Sequence, residues 1–215
     1  MVCIKKKNEP NLLKVFRETT PMASYDSLAK GVKPAIKQSL LEEQGYICAY
    51  CMDRITMDSM RVEHWNPQHK RAGDDLDYLN MLGVCLGNKA EDENCDKHRG
   101  NLKINKQTLK YNPSNPAHYT MMKIKYLADG TIESGDIDFS NQLTDVLNLN
   151  AEEIKIYRQQ IIDAINSYIE IKQISRLRGN SELKSLLQVW NALDNNGMHK
   201  PYFGVAIYWL ESLVN

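Results

Sequence analysis

Four of the five cysteines fall into two groups, Cys48-Ala-Tyr-Cys51 and Cys85 with Cys95, with 33 residues between the groups. No other feature restricts the fold as much, because four thiolates on one ion would tie three separate stretches of chain to a single point. The two-residue spacing of the first pair lets both sulfurs reach one ion from a tight knuckle, and Zn²⁺ takes four such ligands tetrahedrally. A CxxC pair can also be a redox motif, but that motif normally follows a strand and opens a helix in a βαβ context. Here a helical stretch precedes it and strand-like residues follow. The second pair is wider, with nine residues (LGNKAEDEN) between its members. Read together, Cys48, Cys51, Cys85 and Cys95 predict a structural Cys₄ zinc site. Any one of them alone would read as a small buried hydrophobe. Cys3 stands apart as a bystander.

The redox setting bears on this choice. The start, MVCIKKKNEP, carries charge with no following apolar region, so it does not read as a secretory signal. No apolar run approaches the ~18 residues that span a bilayer. A cytoplasmic location follows as the expectation, and there cysteines hold metal more often than they pair. At 215 residues, with 42% hydrophobic and 25% charged, the chain can bury a core as one large domain or two small ones. Lys plus Arg equals Asp plus Glu at 27 each, so the global balance indicates no polyanionic partner. Locally, residues 97 to 125 hold seven Lys or Arg and no acid. Such a run is either a solvated face or, beside a reactive centre, a rim facing phosphate.

The rest of the chain divides into an irregular half bearing Cys and His and a helical half. Residues 33–44 predict a short helix with Ile36, Leu40 and Leu41 on one side, ended by Gly45. Residues 46–66 predict a knuckle and a strand with Ile47, Ile55 and Val62 inward. GDDLDYLN (73–80) and NPSNPAHY (112–119) read as loops. Asp129-Gly130 between two strand-like runs predicts a hairpin. Beyond about residue 140 the pattern is helical. Asn150 serves as N-cap with Glu153 three residues on, and the stripe is Ile154, Ile161, Ile165, Tyr168 and Ile169. Ser181 caps a second helix with Leu183, Leu186, Leu187, Trp190 and Leu193 inward. A third, apolar helix begins at Pro201. The aromatics here fall at helical spacing among aliphatics and read as core.

Between the cysteine pairs lies RVEHWNPQHK, in which Glu63 directly precedes His64. Asn80 follows, and Asp96-Lys97-His98-Arg99-Gly100-Asn101 comes directly after the last cysteine. Phosphodiester hydrolysis needs a base for water, a cation on the scissile phosphate and leaving oxygen, and something to orient the base. A neutral imidazole near pH 7 suits the first role, so His64 is the candidate base. Asn80 suits the third, by accepting a hydrogen bond from the imidazole or by fixing its backbone. Glu63 and a ligand from the 96–98 turn suit a hard cation, Mg²⁺ or Mn²⁺. His69, His118 and His199 read as non-catalytic.

In this order CAYC…VEHWNP…YLNMLGVC…CDKHRGN resembles the HNH (ββα-metal) endonucleases with a zinc-knuckle scaffold, closely over residues 46–102. More loosely, IKQSLLEEQGYICAYC and LNLNAEEIKIYR look like the HNH proteins of bacterial anti-phage systems, the Septu type and its retron-linked relatives. The resemblance implies an α+β fold, with a zinc-stabilised ββα-metal core, a β-hairpin and a C-terminal helical region. It implies His64 as general base, Glu63 as metal ligand and Asn80 as the central Asn. Asp-Lys-His-Arg-Gly is similar to the Asp-Lys-Asn-Arg-Gly of CRISPR effector HNH domains, which puts His98 at the last metal position. The Cys-Asn-x-x-Lys pattern of other zinc-bearing members would put Asp96 there. Two departures stand out: Glu where Asp or His is commoner before the base, and the insertion between Cys85 and Cys95.

The implied organisation is a nuclease domain over 1–140, with its core at 46–110, and a helical region over 141–215 that docks a partner. The implied function is metal-dependent cleavage of DNA, or of a structured RNA such as tRNA, as the effector of a phage-defence complex. The implied partners are an ABC/SMC-like ATPase and, in retron settings, a reverse transcriptase with its RNA–DNA. Two other classes compete: a non-catalytic zinc module that binds nucleic acid or protein through the basic face, and a thiol redox protein.

Overall fold

The computed structural model describes residues 1–67, 74–88, 93–175 and 180–214. His69, Lys70 and Arg71, and part of the insertion between Cys85 and Cys95, lie outside the described residues. The architecture is α+β, with small antiparallel sheets among helices.

The α1 helix (Asn11–Thr19) precedes α2 (Val32–Glu43), which buries Ile36, Leu40 and Leu41. The α2 helix stops where the periodicity stops. Gly45 takes a φ of 60°, and Tyr46 N–H donates to the Leu41 carbonyl at 2.8 Å, the 6→1 bond of a Schellman end. The knuckle follows at once. Its rungs are an isolated bridge between Ile47 and Arg54, Cys48 N–H on the Asp53 carbonyl (2.8 Å), and Met52 N–H on the Cys48 carbonyl (3.0 Å).

Strand β1 (Met60–His64) pairs antiparallel with β2 (Met81–Cys85), Met60 opposite Cys85 and His64 opposite Met81. Buried Gln44, just past α2, ties this pair to the knuckle. Its Oε1 accepts from Gly83 N–H, and its Nε2 donates to the Gly83 and Ile47 carbonyls, all within 2.7–2.8 Å. After β2 comes α3 (Cys95–Asn101), packed on β2. Val62 is only half-buried, whereas Glu63 and His64 are buried. Burying these two polar, titratable residues in preference to the valine is a cost a structural strand would avoid.

The stretch 112–119 is not all loop. Asn115 caps α4 (Pro116–Met122), its side chain accepting from Ala117 and His118 N–H, with Pro116 at N1. That pairing of Asn with Pro is a start signal. The hairpin at Asp129-Gly130 forms between β3 (Ile124–Tyr126) and β4 (Ile132–Ser134), and Gly130 has φ 81°. The α5 helix (Ile137–Asp145) leads to α6 (Glu152–Ile171). Asn150 does not cap α6. Its side chain brackets Ile132, accepting from the N–H and donating to the carbonyl, so it anchors the hairpin instead. The buried stripe of α6 is Ile154, Arg158, Ile162, Ile165 and Ile169, with Tyr168 turned outward. The α7 helix (Ser181–Asn191) is capped by Asn180 rather than Ser181, and Leu193 is exposed. The α8 helix (Phe203–Val214) buries Phe203, Val205, Ala206 and Leu210. The principal core crosses residue 140: Phe139, Leu143, Ile154, Ile162 and Phe203 belong to the same cluster as Cys48, Met52 and Leu82. Among the described residues, no helix is long and apolar enough to cross a membrane.

Candidate active site

The four predicted cysteines converge. The Sγ atoms of Cys48, Cys51, Cys85 and Cys95 all lie within 4.8 Å of one another and are buried. Cys48 and Cys95 are 3.9 Å apart and Cys51 and Cys85 3.8 Å. A disulfide needs about 2.05 Å. Tetrahedral thiolates at about 2.3 Å from a zinc ion stand about 3.8 Å apart, so these separations fit Zn²⁺. The electrostatics agree. Hydrogen bonds donated to Cys48 and Cys85 favour the protonated forms of Cys51 and Cys95 and, with burial, push both well above the ordinary thiol range. At Cys48 burial opposes ionisation, but hydrogen bonds from the other three thiols overcome it and lower its pKa. Four buried thiols in contact cannot all ionise without a cation between them. Cys95 reaches the cluster because it takes a φ of 52° at the start of α3, with its N–H on the Leu147 carbonyl. Despite the insertion, Cys95 joins the other three cysteines in the cluster.

Beside this centre opens a cleft of about 450 Å³, lined by Tyr25, Asp26, Val62, Glu63, His64, Pro67, Asp96, Arg99, Gly100 and Gln107. It sits where β1 ends and α3 begins. The His64 Nε2 lies 2.9 Å from the Asp75 carbonyl. A carbonyl only accepts, so Nε2 carries the proton and Nδ1 keeps its lone pair. The ring also meets the Tyr25 ring edge to face, at 4.9 Å between centroids. Burial lowers the His64 pKa, which keeps the imidazole neutral. Asn80 acts on the backbone just after His64. Its Oδ1 accepts from Asn66 N–H (2.8 Å), its Nδ2 donates to the Asn66 carbonyl (3.0 Å), and its own carbonyl accepts from Trp65 N–H (3.0 Å).

Glu63 accepts hydrogen bonds from Arg99 and, at 3.3 Å, from the Tyr50 hydroxyl. Burial raises the Glu63 pKa well above the usual carboxylate range, Arg99 opposes that rise, and the neighbouring Asp96 carboxyl adds to it. Two carboxyl groups lining one cleft are a donor set that a divalent cation suits, since hard oxygen ligands bind Mg²⁺ and Mn²⁺. Asp96 also lies 3.8 Å from Arg61. His98 is not in the cleft. Its Nε2 is 3.2 Å from the Asp145 carbonyl. Of the two candidates for the last position, the motif comparison favours His98, whereas the folded chain brings Asp96 to Glu63. His118 accepts from Asn112 N–H, and His199 stacks on Phe203.

Sequence reasoning assigned no role to Arg99, Tyr50, Tyr25 or Asp75. Arg99 is buried at the junction of the site. Its Nε donates to the Gln107 carbonyl (2.7 Å), Nη2 to the Trp65 carbonyl (2.6 Å), and Nη1 to Glu63 and to the His64 carbonyl (3.3 Å). A guanidinium offers five N–H groups in a fixed fork, which is why one residue can clamp strand, helix and loop together. Arg99→Met should cost about 3–5 kcal/mol in urea unfolding, because it strands a buried carboxylate. A double Glu63→Leu/Arg99→Met variant should recover part of that loss. A single-variant cost below about 1 kcal/mol would show that the clamp is not structural.

No protein-family model matches the chain. Two curated proteins are similar to it, and both names give the same class: HNH endonucleases of retrons. One is the "Retron Ec83 putative HNH endonuclease" of Escherichia coli, 26% identical, with 87% of each chain covered. The other is the "Retron Vc95 putative HNH endonuclease" of Vibrio cholerae serotype O1 biovar El Tor, 25% identical over 63% of this chain and 67% of the relative.

Proposed function

We propose that the chain is a zinc-stabilised HNH endonuclease that hydrolyses phosphodiester bonds in nucleic acid, using the cleft between β1 and α3 as its active site. The observation that carries this reading is the meeting of Glu63, His64 and Asp96 in one cleft beside a four-cysteine cluster. The names of the two relatives support the same class.

In this mechanism His64 is the general base. Its Nε2–H is held by the Asp75 carbonyl, so Nδ1 accepts the proton of the attacking water. Glu63 and Asp96 would hold a Mg²⁺ or Mn²⁺ ion, which supplies charge stabilisation at the scissile phosphate and leaving oxygen when bound. Arg99 and Tyr50 fix the Glu63 carboxyl, and Asn80 fixes the backbone that carries the base. The ββα-metal core of the family corresponds here to β1, β2 and α3. DNA is the preferred substrate class and a structured RNA the other.

The two choices for the last ligand separate cleanly. Asp96→Asn should weaken activation by Mg²⁺ by at least about 10–100-fold, the cost of losing even a group that only supports a ligand through a hydrogen bond, while His98→Ala should leave the Mg²⁺ titration within about threefold of wild type. A larger loss in His98→Ala would return the role to His98. Mg²⁺-dependent nicking of supercoiled plasmid, with a structured RNA in parallel, tests the activity itself. Binding without cleavage under every metal condition would favour the non-catalytic zinc module.

The biological role we propose is that of a cytoplasmic effector in an anti-phage complex, with an ABC/SMC-like ATPase as partner and a retron reverse transcriptase with its RNA–DNA in retron settings. Residues 141–215 are the docking region in this reading. Exposed Ile171, Val189 and Leu193 are the apolar side chains it would use.

A further inference from the structure

The basic stretch 97–125 is not one surface. Arg99 is buried in the Glu63 clamp. Lys97 pairs with Glu93 at 3.0 Å, and Lys110 pairs with Asp136 and Asp138 at 2.7 and 3.0 Å. The four other lysines, Lys103, Lys106, Lys123 and Lys125, are exposed, and of these only Lys103 and Lys106 lie between the cleft-lining residues Gly100 and Gln107. Among the described residues neither of these two forms an ion pair. Lys103 precedes and Lys106 ends the single turn Ile104–Lys106, which is separated from α3 by two residues.

The turn is also fixed relative to the cleft. Gln107, a cleft-lining residue, donates through Nε2 to the Leu102 carbonyl (2.8 Å) and the Gly100 carbonyl (3.3 Å). Its own carbonyl accepts from Arg99 Nε, and the same guanidinium holds Glu63. A continuous set of hydrogen bonds therefore runs from the candidate metal ligand to the base of the lysine turn. Two ammonium groups that pair with no acid, on a turn tied to the cleft wall, can lie over successive phosphates of a strand entering the cleft.

We infer that the Lys103–Lys106 turn is the phosphate-binding rim of the cleft, gripping the nucleic-acid backbone beside the scissile bond. This rests on the nuclease reading for the nature of the ligand, but concerns binding rather than chemistry. The experiment is a salt titration of affinity without added Mg²⁺ or Mn²⁺, using the zinc-loaded full chain, a labelled 20-base-pair DNA duplex and, in parallel, an RNA hairpin. Each phosphate contact to B-DNA contributes about 0.9 to the slope of log K against log salt. Lys103→Ala/Lys106→Ala should therefore lower the slope by about 1.8. Wild type would then lose about tenfold more affinity than the variant between 50 and 200 mM salt. The lost slope appears with whichever polymer is gripped. Zinc content and melting temperature should not change, since both side chains are exposed. Lys123→Ala/Lys125→Ala, elsewhere in the same basic stretch, should keep the wild-type slope. Tight binding by wild type with an unchanged slope in the first variant, or an equal drop in the second, overturns the rim assignment alone. If wild type binds neither polymer, the rim and the nuclease reading fall together.

Discussion

His64→Ala lowers phosphodiester cleavage by at least 10²–10⁴-fold, about 3–5 kcal/mol of barrier, while zinc content stays at the wild-type level. The magnitude is that of removing a positioned general base. The geometry explains why the loss should be chemical rather than structural. The imidazole is anchored through one nitrogen to the Asp75 carbonyl and lines an open cleft. Its removal thus leaves a carbonyl that water can reach instead of a sealed void. The thiolate cluster is assembled by other residues, Cys48 and Cys51 on the knuckle and Cys85 and Cys95 at the ends of β2 and α3. The assay is cleavage of supercoiled DNA by the zinc-loaded chain, alone and with the ATPase proposed as its partner. Melting and zinc determination on the same samples control for folding. Cutting by the variant within a few-fold of wild type would remove His64 from the role of base.

Cys48→Ser has the larger effect on stability. Structural zinc sites contribute apparent binding free energies of about 10–16 kcal/mol, whereas a whole domain is stable by about 5–15 kcal/mol. Losing one thiolate ligand should therefore release the ion and melt at least residues 46–102. Hydrogen exchange would show this as lost protection of the knuckle, β1, β2 and α3. The helical residues that form a second cluster, around Ile165, Ile169, Leu183 and Leu210, should keep more protection, because they pack away from the cysteines. Unchanged zinc content and an unchanged melting curve would refute the Cys₄ assignment.

Both effects trace to one arrangement: the four-cysteine cluster joins three chain segments, and the cleft forms where two of them end. Glu63 belongs to β1 and Asp96 to α3, so no local interaction brings these carboxyl groups together. The cysteines do so indirectly, by bringing the start of α3 to the knuckle and to the end of β2. Arg99 then closes the junction from within.

Local rules account for what the sequence determined unaided. The CxxC spacing, the Schellman end at Gly45, the Asp129-Gly130 hairpin and the apolar face of α2 all depend on neighbours within a few residues. The same rules fail where a side chain has two possible partners. Asn150 matches a helix cap but finds the Ile132 backbone from β4, which lies 18 residues away in sequence. Asp96 and His98 are the sharpest case. Both offer suitable ligand atoms, and the motif match favours His98. Their positions two residues apart on α3 turn them in different directions, however, and the packing of the α3 helix decides which one meets Glu63. Spacing along the chain specified the four-cysteine cluster; the orientation of one short helix, visible only in the folded chain, put the Asp96 carboxyl rather than the His98 imidazole in the cleft.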